Sequence, residues 1–172
     1  MKHTKTSPQV LALYITRRGI AFAFFSSEAS LHDWGTKEVR GNNKHADCLR
    51  IAKQLIAIRK PDVLVIEDAT ATGSRRFPRI RRLYRAILQS AERQHIRVEA
   101  YSRAEIMESF SGVGGPTKHD IATVVAQRLP ELARRLPPKR KPWESESAAQ
   151  GLFDAASLGL VFFVRECDLS LS

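Results

Sequence analysis

Apolar and polar positions along this chain alternate between two rhythms. From Gln9 to Thr16 almost every position is apolar, the pattern of a strand buried on both faces. Arg17, Arg18 and Gly19 supply a turn, and Ile20 to Phe25 is a second apolar run, so the two are predicted to pair as a hairpin. Trp34 to Val39 predicts a third strand at the sheet edge, polar enough to face water on one side. From Lys44 to Arg59 the period turns helical: Leu49, Ala52 and Ile56 recur on one face, with Leu55 beside them, and Pro61 stops the helix. Val63 to Ile66 is a short, strongly apolar strand that ends at Glu67 and Asp68.

After a loop from Thr70, a long helix is predicted over about Arg76 to Gln94. Phe77, Ile80, Tyr84 and Ile87 form its apolar stripe, and Pro78 fits its first turn. Ile96 to Ala100 predicts a fifth strand. Ser102 and Glu105 have the spacing of a capping box, as do Ser147 and Gln150. Gly112 to Pro116 is a glycine-rich loop, followed by a helix from Thr117, its cap, to Leu129, ended by Pro130. Residues 137–147 read as an exposed loop, and a last apolar helix runs to Val164 with Phe162 and Phe163 on the core. The first three strands can pair antiparallel. The later two need helical crossovers and so are expected to be parallel. The prediction is an α/β fold, a central mixed five-stranded sheet flanked by helices. It forms one domain over residues 1–172, with residues 1–8 a flexible basic arm.

Charge changes this picture most. The chain of 172 residues carries a formal net charge of +10, which points to a polyanionic partner, because lysine and arginine displace counterions from a phosphate backbone. Arg75, Arg76, Arg79, Arg81, Arg82 and Arg85 crowd the start of the long helix and are the best candidates for phosphate contact. Phe77 and Tyr84 sit among them and could stack on bases, but their place on the apolar stripe favours the core. Lys139, Arg140 and Lys141, beside Trp143, make a second basic cluster whose plainer reading is a solvated loop. Two cysteines far apart, Cys48 and Cys167, imply neither a zinc site nor a disulfide framework and fit a reducing cytoplasm. No apolar run reaches the roughly 18–20 residues that span a membrane. The N-terminus lacks the apolar core of a secretory signal. The glycine loop lacks the Gly-Lys-Ser/Thr of a P-loop, so no nucleotide cofactor is expected.

Four stretches follow one another in a particular order: the hairpin from Val10 through Tyr14, Arg17, Arg18 and Gly19 to Ala23; Pro61 and Asp62 leading to Glu67; Ser111 to Lys118; and Leu152, Phe153 and Asp154 opening the last helix. Together and in this order they resemble the RuvC-type Holliday junction resolvases of the ribonuclease H-like superfamily. The resemblance implies cleavage of branched DNA by two divalent metals, Mg²⁺ or Mn²⁺, held by carboxylates, since hard cations take oxygen ligands. It assigns Glu67 and Asp154 as metal-binding and catalytic, places Lys118 at the scissile phosphate, and implies a homodimer. Independently of it, an acid at the end of a parallel strand stands where open α/β sheets place their sites. Asp154 has the plainer reading of an acid near a helix N-terminus.

Two expected acids are missing. The first strand carries Tyr14 where the family has its first catalytic acid, and a phenol with a pKa near 10 is a poor magnesium ligand at neutral pH. Gly151 stands where the last helix usually has a second acid. Glu144, Glu146 and Asp68 are possible substitutes. Glu146 is the best placed, and Asp68 points away if its strand continues. The expectation is a nucleic-acid-binding protein for branched DNA with a degenerate or reduced centre. Its rivals are an active metal-dependent junction endonuclease and a non-catalytic assembly or regulatory domain.

Overall fold

The computed structural model describes residues 7–27, 30–113 and 117–171. The expected arm therefore lies, up to residue 6, outside the described residues, as do Gly114 and Gly115 of the glycine loop. The elements follow in the order β1 (Val10–Ile15), β2 (Gly19–Ser27), β3 (Ser30–Glu38), α1 (Lys44–Arg59), β4 (Val63–Glu67), α2 (Pro78–Arg93), β5 (Arg97–Tyr101), α3 (Arg103–Phe110), α4 (Lys118–Arg128) and α5 (Gln150–Leu171). Short 3₁₀ turns occupy Ser111–Val113 and Pro130–Arg135. The sheet order is β3-β2-β1-β4-β5. β1–β2 and β2–β3 are antiparallel, and β1–β4 and β4–β5 are parallel, so the predicted mixed sheet is the observed one.

Strand alternation sorts the apolar side chains into two cores. Leu11, Leu13, Ile15, Phe22, Phe24, Leu64 and Ile66 face α1 and α2. Val10, Ala12, Ala21, Ala23, Phe25, Val63 and Val65 face α3, α4 and α5. The second face is lined with small residues, which lets α5 lie close across β1, β2 and β4. The helix reciprocates with Gly159, where a Cβ would sit 2.3 Å from the Phe25 ring. Phe162 and Phe163 pack edge to face on this side, as expected.

The Ser102 capping box is formed, with Glu105 N–H donating to Ser102 Oγ at 3.2 Å and Ser102 N–H to Glu105 Oε2 at 2.7 Å. Thr117 caps α4 by accepting from Asp120 N–H at 3.1 Å. The second box is not formed. Ser147 Oγ accepts from Ala149 N–H, and the Gln150 side chain turns forward along α5 to Asp154. Phe77 also departs from its expected stripe: it is 59% exposed, in extended backbone just before α2, with the Arg17 guanidinium 6.0 Å from its ring. Tyr84 is buried as expected. The loop 137–147 is exposed apart from Pro137.

Candidate functional site

The C-terminal ends of β1 and β4 open into a cleft of about 1290 Å³. Tyr14 continues the face of Val10 and Ala12, and Glu67 that of Val63 and Val65, so both point toward α5. The parallel register pairs Leu13 with Ile66, which sets Tyr14 beside Glu67 one step on. Asp154, one turn into α5, faces them, and Lys118 at the first turn of α4 reaches between. Tyr14, Glu67, Lys118, Glu146, Gly151 and Asp154 thus share one cleft, although they are scattered along the chain.

Each acid here meets a cation from the chain itself. Glu67 lies 3.1 Å from Arg76 Nε and accepts from the Tyr84 hydroxyl at 3.4 Å. Burial pushes its carboxyl above the usual range; Arg76 opposes this and Asp154 adds to it. Asp154 is 7% exposed, accepts from Gln150 Nε2 at 3.2 Å, and lies 3.4 Å from Lys118 Nζ. Burial raises its carboxyl too, against the pull of Lys118 and with the push of Glu146. Lys118 is shared, since Glu146 Oε1 is 2.6 Å from the same ammonium. Between the pairs lies Tyr14, its ring centroid 5.0 Å from the Arg76 guanidinium and 5.8 Å from Lys118 Nζ. Burial, reinforced by Asp154 and Glu67, holds its hydroxyl far above the ordinary tyrosine range, so the phenol is neutral.

Arg76 differs most from its expected place. The sequence makes it a candidate for phosphate contact, but its side chain turns inward and is 20% exposed. The cause lies in β1. Beyond Leu13 the ladder to β4 ends, and Ile15 has an N–H and a carbonyl without strand partners on that side. Tyr84 Oη accepts the Ile15 N–H at 2.9 Å, and the Arg76 guanidinium donates to the Ile15 carbonyl. Arg76 therefore closes the end of the central strand and neutralises Glu67 at once.

This donor set does not fit a divalent metal. Magnesium needs near-octahedral oxygen ligation with ligands free to face it. Here Glu67 and Asp154 are occupied by Arg76 and Lys118, and the central strand offers a neutral phenol. Among the described residues no three His, Cys, Asp or Glu side chains converge on a metal position. Glu146, the expected spare ligand, is held by Lys118. Asp68 does line the cleft, because β4 stops at Glu67, but its Oδ1 accepts from Thr70 N–H at 3.0 Å and from the Thr70 hydroxyl at 2.7 Å. Glu144 lies outside the cleft and accepts from Lys141 N–H at 3.0 Å.

The rim is basic. Arg17, Arg18, Lys37, Arg75, Arg103 and Arg140 line it. Of the basic residues singled out in the sequence, Arg75, Arg76, Lys118 and Arg140 line the cleft, whereas Arg79, Arg81, Arg82, Arg85, Lys139 and Lys141 do not. Arg17, Arg18, Lys37 and Arg103 were not anticipated. The signal for the first two was their turn position, since a turn that follows the central strand must border whatever sits at that strand's end.

The raised carboxyl of Asp154 gives a test by pH. A buried acid whose folded-state pKa is raised destabilises the fold when ionised, so its contribution to stability is full below the ordinary carboxylate range and lost as pH rises through the raised value. We expect Asp154→Asn, which keeps an acceptor for Gln150, to be more stable than the natural chain at pH 8. The gain should vanish near pH 4, as read by urea midpoints across that range. A gain that grows on acidification would show that Lys118 outweighs burial.

No described protein family and no curated protein matches the sequence. Solved structures do match. RuvC from Thermus thermophilus aligns at TM-score 0.63 and 16% identity over 92% of this chain and 96% of its own. T. thermophilus RuvC in complex with a Holliday junction substrate aligns at 0.66 and 14% identity over 94% and 96%. The yeast mitochondrial Holliday junction resolvase Ydc2 aligns at 0.66 and 15% identity over 95% and 81%. Over nearly its whole length, then, this chain has the ribonuclease H-like α/β fold seen in the RuvC-type resolvases.

Proposed function

We propose that this protein binds branched DNA through the cleft at the ends of β1 and β4, using its own cations in place of bound metal, and that it does not cleave in its natural form. The observation that carries this reading is the division of charge within one cleft. Its rim carries arginine and lysine, while Glu67, Glu146 and Asp154 inside are each paired with Arg76 or Lys118. A cationic rim supplies sequence-independent phosphate contacts. The match to a RuvC bound to a junction substrate supports branched DNA as the ligand class.

The test incubates the natural protein and Tyr14→Asp with a labelled four-way junction, in EDTA and in Mg²⁺ or Mn²⁺. We expect the natural chain to bind in both, with affinity falling steeply as salt rises, and to leave the junction intact. Tyr14→Asp restores an acid on the central strand and is expected to gain metal uptake. Metal-dependent cutting by the natural chain would replace this reading with that of an active endonuclease. Absence of binding at low salt would replace it with an assembly role.

A further inference from the structure

Trp143 is 78% exposed, more than any other large hydrophobic side chain described. Leaving an indole in water forgoes the burial that aromatic side chains ordinarily obtain. The chain nevertheless holds this one out on a fastened turn. Glu144 N–H donates to the Lys141 carbonyl at 3.0 Å, closing the turn Lys141–Pro142–Trp143–Glu144, and Pro142 suits its second position. The Glu144 carboxylate accepts from Lys141 N–H at 3.0 Å, and Arg140 Nη1 donates to the Glu144 carbonyl at 3.2 Å. Lys141 Nζ lies 5.6 Å from the indole centroid.

The turn is one lip of the cleft, since Arg140 on one side of it and Ser145 and Glu146 on the other line that cavity. Lys139, Arg140 and Lys141 precede the ring in sequence, all exposed. A flat aromatic surface flanked by successive cations is complementary to a nucleotide, with the ring for the base and the ammonium and guanidinium groups for phosphates. In duplex DNA the base faces are covered by stacking, so the complement is an unpaired base.

We infer that Trp143 is a stacking platform for an unpaired nucleobase at the lip of the cleft, with Lys139, Arg140 and Lys141 holding the adjoining phosphates. The inference rests on the nucleic-acid reading above and adds the ligand's single-stranded character and its seat.

The probe is a twelve-nucleotide oligodeoxythymidine, compared with a blunt duplex. Binding is followed by anisotropy of labelled DNA and, separately, by tryptophan emission with unlabelled DNA. The chain has two tryptophans. Trp143→Phe therefore leaves Trp34 alone, and a conservative change at an exposed position spares the fold. We expect the oligonucleotide to quench natural-chain emission and Trp143→Phe to abolish the quench while keeping most of the affinity. Trp143→Ala is expected to weaken oligonucleotide binding about tenfold, within the range measured for base stacking, and duplex binding less than twofold. Saturable binding without quenching, or unchanged oligonucleotide affinity in Trp143→Ala, would overturn the platform and leave the cleft reading intact. Absence of any DNA binding by the natural chain would overturn both. A blue shift with anionic vesicles and none with oligonucleotide would assign the ring to a lipid surface instead.

Discussion

Arg76→Ala is expected to destabilise the protein by about 3–5 kcal/mol at pH 8, the cost of leaving one partner of a buried ion pair behind. Glu67 and Arg76 are 12% and 20% exposed, so water cannot take the place of the lost guanidinium. The Ile15 carbonyl would lose its donor in the same step. Arg76 is also the strongest influence lowering the Glu67 carboxyl, so its removal drives that group further up. The variant's deficit should therefore shrink on acidification, as Glu67 takes a proton and ceases to be a stranded charge. Glu67→Gln in the Arg76→Ala background should recover much of the loss at pH 8, because Gln accepts from Tyr84 without carrying charge. A double-mutant cycle from urea unfolding reads the coupling directly. A coupling near zero would mean that Arg76 serves Ile15 alone.

Gly151→Asp, the other substitution that would rebuild the acid set of the resemblance, is expected to fail by itself. A Cβ at Gly151 would sit 2.5 Å from Thr16 Cγ2 and 3.5 Å from Ala21 Cβ. Thr16 is not free to swing aside, because its hydroxyl accepts from Arg18 N–H at 3.2 Å and from Gly19 N–H at 3.0 Å, holding the β1–β2 turn. Overpacking at such a site costs about 1–3 kcal/mol, before the further cost of a buried carboxylate. Thr16→Ser removes the offending methyl and keeps the hydroxyl. We expect Gly151→Asp to unfold at markedly lower urea and Gly151→Asp with Thr16→Ser to recover most of the difference. Manganese uptake is expected only when Tyr14→Asp is added, as read by calorimetric titration. Equal stability of Gly151→Asp with and without Thr16→Ser would remove the methyl contact as the cause.

Much of this architecture was legible because it follows from local periodicity. The apolar runs at Val10–Ile15 and within Val63–Glu67 have the pattern of buried strands, and both are strands of the sheet, the second closed by an acid that lines the cleft. What was misplaced lay just outside a periodic segment. Helix α2 begins at Pro78, so Arg76 and Phe77 precede it, and a helical period started at Arg76 puts Phe77 on the buried stripe. One partner of Arg76 is the carbonyl of Ile15, sixty-one positions away, a demand created by where the β1–β4 ladder ends and invisible to any local pattern. The second capping box failed for a related reason. Gln150 has two possible partners, and the buried carboxylate of Asp154 is the one it satisfies.

The close seat of α5 on the sheet also bears on how the protein is made. All five strands leave the ribosome before Gln150–Leu171 does, yet that helix covers β1, β2 and β4 on one whole face. During synthesis, at several residues per second, the nascent sheet waits with that alanine-lined face uncovered. The helix that finally covers it also brings in Asp154. The half-core and the cleft are thus completed in a single late event, and a nascent chain arrested before residue 150 has neither.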